Sequence, residues 1–320
     1  SELSCTSCVK TFPILNQIPR FVPKENYAES FGLQWNRFAS TQIDSKVGTN
    51  RSESRFSDET LWNKEILNGK LVLDAGCGSG RFSEIALKFG ASLIAVDYSS
   101  AVEAAQTNNV ALMEAMWARF LPHYAQVREI IASGVLGKIL TVQADHGQRL
   151  ADQNIPRLVD PSLAGGALLD LGIYPVSFAH MVLGNPTKIT ASGVLTERGV
   201  DAQTSIIFDY ANGAQAILNT TMIEQTPCRA VVAGVNGWLE IDRVFYSPTS
   251  MRVTLFDGSV TEYPHTYTGH GLREQAEAFK KLVVSGKTQS DILNWKDTVD
   301  IMESLDTVRA QIGLRYPFEN

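Results

Sequence analysis

Apolar residues recur along this chain with two different periods, and the change from one to the other divides it. Leu71-Val72-Leu73 is a short apolar run leading into Asp74-Ala75-Gly76-Cys77-Gly78-Ser79-Gly80, the pattern of a buried strand that ends in a glycine turn. From Arg81 to Phe89 the apolar positions Phe82, Ile85, Ala86 and Phe89 fall on one helical face, and Gly90 supplies a stop. Leu93-Ile94-Ala95-Val96 predicts a second buried strand ending at Asp97, after which Ser99 or Ser100 caps a helix to about Asn108. Strand, glycine turn, helix and strand make a βαβ unit whose loop presents backbone N–H groups to a nucleotide.

Past residue 110 the character changes. Val110-Ala111-Leu112-Met113 predicts one more buried strand, Pro122 opens a helix to about Ser133, and Gly165-Gly166 precedes a helix to roughly Leu183. At least seven short β segments follow. Asn212-Gly213, Asn236-Gly237 and Asp257-Gly258 mark hairpin turns, so residues 204–222, 229–242 and 251–263 are expected to fold as antiparallel pairs. Two amphipathic helices close the chain, one with Ala276, Phe279 and Val283 on its apolar face, the other with Ile301, Leu305, Val308 and Ile312. The expected fold class is α/β, a partial Rossmann-like βαβ unit, followed by an α+β domain with a large, mainly antiparallel sheet. The expected divisions are an irregular polar segment (1–69), the nucleotide-binding unit (70–114) and the sheet domain (115–320).

Composition narrows the function classes. Of 320 residues, 44% are hydrophobic and 19% charged, ample for the core of an ordinary globular chain. No run of about 18 apolar residues occurs and the chain does not start as a secretory leader does, so neither a membrane span nor secretion is expected. Lys+Arg number 28 against 34 Asp+Glu, a net charge of −6 with no dense basic run, and no nucleic-acid partner is expected. Four cysteines do not make a disulfide framework, and a reduced, cytoplasmic setting is the default. Cys5 and Cys8 have the spacing of one zinc-ribbon knuckle without a second, so two free thiols are the simpler reading. The five histidines, His123, His146, His180, His265 and His270, show no metal spacing, and no metal is expected. There is no Gly-x-Ser-x-Gly elbow, which argues against a hydrolase.

Residues 72–99, VLDAGCGSGRFSEIALKFGASLIAVDYS, resemble the first motifs of class I S-adenosylmethionine-dependent methyltransferases. The aromatic-rich lead-in over residues 18–44 is similar to a branch of that family with a cysteine-knuckle front. Asp74, Gly76, Gly78 and Gly80 would hold the cofactor, and Asp97, at the end of the next strand, would bind its ribose hydroxyls. A NAD fingerprint would have glycine where this chain has Arg81, so the loop favours S-adenosylmethionine over NAD. The resemblance covers only residues 1–109, about a third of the chain.

The remainder is similar to the Gfo/Idh/MocA oxidoreductases, in the branch that includes dihydrodiol dehydrogenases. Residues 110–139 (VALMEAMWARFLPHYAQVREIIASGVLGKI), 165–184 (GGALLDLGIYPVSFAHMVLG) and 302–317 (MESLDTVRAQIGLRYP) carry it. The chain thus reads as a chimera, with its junction near Asn108-Asn109. This second resemblance implies an NAD(P)-dependent oxidoreductase acting on a sugar, polyol or diol, with a carboxy-terminal sheet that forms a homodimer. It makes Tyr174 the catalytic tyrosine, with Asp170 one turn before it on the same helix face, and it places Trp117 and Arg119 near the cofactor–substrate cleft. Read from the residues alone, Asp170 could equally cap a helix and Tyr174 fill the core, and Trp117 or Arg119 could anchor a domain interface. The family's Glu-Lys-Pro segment, whose lysine would make Tyr174 a useful base, is absent, so weak turnover is expected. The rival readings are a methyltransferase and a non-enzymatic dimeric binding module.

Overall fold

The computed structural model describes residues 2–4, 11–15, 18–19, 44–48, 50–75, 81–96, 113–153, 155–317 and 319. Cys5, Cys8, Gly76, Gly78, Gly80 and Asp97 lie outside the described residues, as do the helix expected to end near Asn108 and the run Val110–Leu112. The chain forms two compact units, one of residues 1–52 and 67–100, the other of residues 53–66 and 101–320.

In the first unit, β1 (Glu2–Ser4), β2 (Thr11–Leu15) and β3 (Ile18–Pro19) pair antiparallel in that order. Strands β4 (Leu71–Ala75) and β5 (Ser92–Val96) pair in parallel, Leu71 opposite Ser92 and Asp74 opposite Ala95. The helix Arg81–Lys88 joins them. It buries Ile85 and Ala86, with Phe89 just beyond its end, the face expected from their spacing. Gly90 ends it at φ +87°, and a Cβ there would run into the Asn68 side chain. This is the anticipated strand–helix–strand unit.

The second unit is built on an eight-stranded sheet of order β13-β12-β11-β10-β6-β9-β8-β7. Six of its strands make the three expected hairpin pairs: β8 (Asp201–Asp209) with β9 (Gln215–Thr221), β10 (Ala230–Gly234) with β11 (Gly237–Ile241), and β12 (Met251–Leu255) with β13 (Val260–Tyr263). Edge strand β7 (Lys188–Leu195) pairs with β8. Strand β6 (Ile139–Gly147) is the one that hydropathy did not announce. It lies at the middle of the sheet, antiparallel to β10 and parallel to β9, with Val142 opposite Ala216 and His146 opposite Thr220. Its inward residues are Val142, Ala144 and His146, and its outward ones include Gln143, so its alternation is muted by small and polar side chains.

Helices cover one face of this sheet. Val176, Phe178 and Ala179 of the helix Ile173–Leu183 and Ile301, Leu305 and Val308 of the helix Trp295–Ile312 meet Val142, Ala144, Ile206, Phe208, Leu218 and Val232 in one core. The last helix starts at a capping box, with Asn294 Oδ1 accepting from the Asp297 N–H (2.8 Å) and Asp297 Oδ2 accepting from the Asn294 N–H. The helix Arg273–Val284 departs from expectation. Leu282 is its buried residue and Phe279 is half-buried, whereas Ala276 is exposed and Val283 is 53% exposed. Leu282 follows Phe279 by three positions, so the two share a face that Ala276 and Val283 do not complete.

The opposite sheet face mixes apolar and polar side chains. Ile207 and Ile217 stand opposite one another there, 41% and 47% exposed, with Ser205, Asn219 and Gln143 as neighbours, and Glu240 and Arg252 lie on the same face farther across the sheet. The Asn219 amide donates to Ser205 Oγ (3.2 Å), and Arg252 pairs with Glu240 at 3.0 Å. The stretch Pro161–Leu183 is apolar enough by composition to cross a membrane, yet 61% of its most apolar window is buried inside the protein, as befits a core element.

Gly165 and Gly166 precede the helical part of that stretch for a steric reason. A Cβ at Gly165 would press on the Leu158 carbonyl group, and one at Gly166, at φ +125°, would collide with the Asp201 carboxyl group. Asp201 is fully buried, and its Oδ2 accepts from the Leu168 N–H at 2.8 Å. Burial raises its pKa to about 6 from a model-compound value of 3.8. A carboxyl group whose folded-state pKa is raised contributes stability that is present at low pH and lost as pH climbs through about 6. The displacement corresponds to on the order of 3 kcal/mol. Asp201→Asn keeps an oxygen for Leu168 and cannot ionise. Urea unfolding between pH 4 and 7 should therefore show the variant gaining on the parent chain as pH rises, and parallel profiles would contradict this.

Candidate active site

Four aromatic side chains from separate elements meet at one end of β6. His146 comes from the strand itself, Tyr174 from the first turn of the helix Ile173–Leu183, and Trp117 from a short 3-10 turn, Trp117–Phe120. Tyr246 follows β11. The His146 and Tyr246 rings stack at 4.1 Å, Tyr174 lies 4.7 Å from Tyr246 and 5.3 Å from His146, and Trp117 packs edge-on against both tyrosines. His146 is buried, and the other three keep partial exposure. Such a wall offers apolar surface together with a few fixed polar atoms, the usual make-up of a small-molecule site.

Hydrogen bonds fix the polar atoms. The Trp117 Nε1–H donates to the Tyr174 hydroxyl oxygen at 2.9 Å. His146 Nδ1 lies 3.0 Å from the Leu171 carbonyl oxygen, and Gln148 Nε2 lies 2.8 Å from His146 Nε2 and 2.9 Å from the Tyr246 hydroxyl. Leu171 belongs to a π-helical turn, Leu168–Gly172, placed directly before Tyr174. Asp170, in the same turn, takes an ion pair from Arg157 at 2.5 Å. Both partners are substantially exposed, so the pair shapes the local field more than it stabilises the fold.

Electrostatics keep the ring side chains of the pocket uncharged. Burial lowers the His146 pKa to about 4, so its imidazole is neutral at pH 7. Burial also raises the pKa of Tyr174, with Asp170 adding to the rise and the Trp117 hydrogen bond and Arg157 opposing it. Tyr246 is pushed up to about 12, chiefly by burial. Both phenols are therefore protonated at neutral pH, able to donate to a carbonyl or hydroxyl oxygen.

Of the residues singled out from sequence, Tyr174, Asp170 and Trp117 stand together here. Arg119 is two residues from Trp117 but only 3% exposed, and its carbonyl oxygen accepts from Arg128 Nη1. Burial lowers the pKa of its guanidinium to about 10. Asp74 lies within β4, in the first unit. His146, Gln148, Tyr246 and Arg157 were missed. The signal for His146 was present, since it continues the inward row Val142–Ala144, but it is visible only once β6 is known to be a strand. Nothing in the sequence marks Gln148 or Tyr246.

Residues 124–240 match the profile described as the GFO/IDH/MocA C-terminal domain. A trans-1,2-dihydrobenzene-1,2-diol dehydrogenase of Xenopus laevis is 35% identical over 223 residues, 68% of this chain and 67% of the relative. The Sus scrofa protein of the same name is 32% identical over 70% of this chain and 68% of its own length. Among solved structures, an aldose-aldose oxidoreductase from Caulobacter crescentus, complexed with glycerol, shares the fold at a TM-score of 0.60 and 22% identity, covering 76% of each chain. A 3-ketoreductase from Actinomadura kijaniata, solved with NADP and TDP-benzene, does so at 0.56 and 22%, covering 77% of this chain and 78% of its own. With this similarity extending over two-thirds of its length, the chain belongs to the Gfo/Idh/MocA family of oxidoreductases.

Proposed function

We propose that this protein interconverts a hydroxyl and a carbonyl group on a diol, polyol or sugar, with NAD(P) as the redox partner and Tyr174 as the proton-transferring group. The observation that carries the reading is the Tyr174 hydroxyl itself. Its oxygen already accepts from Trp117, so its own proton is left for a ligand. NAD(P), when bound, supplies the hydride chemistry. The parallel β4–β5 pair with its connecting helix fits the first βαβ of a dinucleotide fold, and Asp74, Gly76, Gly78, Gly80 and Asp97 are the residues proposed to hold the nucleotide. Arg81, standing where a dinucleotide fingerprint has glycine, favours S-adenosylmethionine as a second ligand for the same segment. Parallel calorimetry with NADPH and S-adenosylmethionine separates the two.

In the reductive direction Tyr174 donates its proton to the carbonyl oxygen, and burial keeps that proton in place at neutral pH. Trp117 orients the hydroxyl. Asp170 and Arg157 set the field at the phenol, and the buried Arg119 belongs to the same turn as Trp117. The cation acting on Tyr174 is Arg157, already paired with Asp170, so turnover is expected to be slow in both directions. The buried free thiol of Cys228 suits a reducing, cytoplasmic setting. NADPH oxidation across a panel of 1,2-diketones and aldoses tests the reading. Turnover that Tyr174→Phe lowers by about 10²-fold or more supports it. Turnover that survives the substitution removes Tyr174 from the reaction.

The exposed Ile207–Ile217 pair, bounded by polar residues, further supports a homodimer through the outer sheet face. Light scattering should give dimer mass for the parent chain and monomer mass for Ile217→Asp. A monomeric parent at micromolar concentration would contradict the assembly.

A further inference from the structure

Two phenols stand side by side at the site, and the reaction proposed above uses one of them. The other, Tyr246, is held by a chain of hydrogen bonds whose polarity can be worked out atom by atom. A carbonyl oxygen only accepts, so the 3.0 Å contact with Leu171 places the imidazole proton of His146 on Nδ1. The ring is neutral at pH 7, which leaves Nε2 bare, and the group 2.8 Å from it must be the donating amide nitrogen of Gln148. The same nitrogen gives its second proton to the Tyr246 oxygen at 2.9 Å. Tyr246 is thereby an acceptor toward Gln148, and its own proton is directed elsewhere.

Tyr174 is in the same state through Trp117. The two rings are 4.7 Å apart and tilted by 38°, and each hydroxyl has its own N–H donor behind it. Among the described residues, no hydrogen bond takes up either phenolic proton. The pocket therefore offers two O–H donors on neighbouring rings, a pattern that suits two adjacent oxygens on a ligand. We propose that Tyr246 binds the second, non-reacting oxygen of a vicinal diol or α-hydroxy carbonyl compound while Tyr174 takes the reacting one, with Gln148 and His146 as the positioning residues that aim it. This rests on the reading of Tyr174 given above. A ligand with a single oxygen leaves a half-buried donor without an acceptor, and a site built to bond a hydroxyl discriminates against an analogue that lacks it.

The test is equilibrium binding to the full chain, followed by ligand-observed NMR, of trans-cyclohexane-1,2-diol and of cyclohexanol. The parent chain is expected to favour the diol by roughly three- to tenfold, the worth of one net hydrogen bond. In Tyr246→Phe, which keeps the ring stack, that ratio should fall to near one. Gln148→Leu should lower it part of the way, because the hydroxyl is then free to turn, and Tyr174→Phe should weaken both ligands. A ratio that survives Tyr246→Phe overturns the assignment of Tyr246 alone, as does a parent chain that binds both alcohols equally. A parent chain that binds neither overturns the reading of Tyr174 along with it.

Discussion

Strand β6 enters the sheet between β10 and β9, both more than 65 residues away in sequence, and runs parallel to β9. A parallel neighbour cannot be reached by a tight turn, so the chain between β6 and β9 must travel the length of the sheet and return. That excursion contains the Gly165-Gly166 turn, the π segment, the helix Ile173–Leu183 and the hairpin partner β8. The helix lies on the inner face, and its first turn is brought to the end of β6, where His146 reaches the Leu171 carbonyl. The pairing of one central strand thus decides where Tyr174 stands.

The excursion is held at its start by a buried carboxyl group. Asp201, on β8, takes the Leu168 N–H, one of the donors that a helix beginning cannot satisfy within itself. The glycines at 165 and 166 give the backbone the room this needs, and Tyr316, near the end of the chain, donates to the Gly165 carbonyl at 3.1 Å. Two distant segments therefore converge on one short turn. Three buried histidines avoid charge elsewhere in the interior. Burial lowers the pKa values of His123, His146 and His180 to about 4, and each ring meets a neutral oxygen, that of Phe245, Leu171 or Ser304 respectively. Uncharged imidazoles serve here as shaped hydrogen-bonding parts of the core.

Much of this was open to inspection in the sequence. The hairpin turns at Asn212-Gly213, Asn236-Gly237 and Asp257-Gly258 sit where strands reverse, because few other dipeptides accept the required backbone angles. Ile301, Leu305 and Val308 form the buried face of the last helix as their spacing demands. The helix before it shows the weakness of the same argument, for Ala276 and Val283 fit an apolar stripe yet face water. A stripe with few large side chains leaves the rotation of a helix to whatever it packs against. The two family resemblances fared unequally. That of residues 110–320 is matched by relatives, whereas the matching profile and relatives lend no support to the methyltransferase resemblance of residues 1–109.

Local pattern determined most of the strands and helices beyond residue 70, β6 excepted, where most of them end, and that Tyr174 and Asp170 share one short stretch of chain. These depend on interactions between near neighbours, and such interactions are written in order and spacing. The tertiary structure alone decided that β6 is the middle of the sheet, that Trp117 lies behind Tyr174, and that His146, Gln148 and Tyr246 join them. Those contacts span up to 98 residues, and each involves a side chain whose polar group has several possible partners in sequence and one in space. What selected it was the burial of the pocket, which penalises every polar atom left without a partner and so fixes the hydrogen-bond directions that give the site its chemistry.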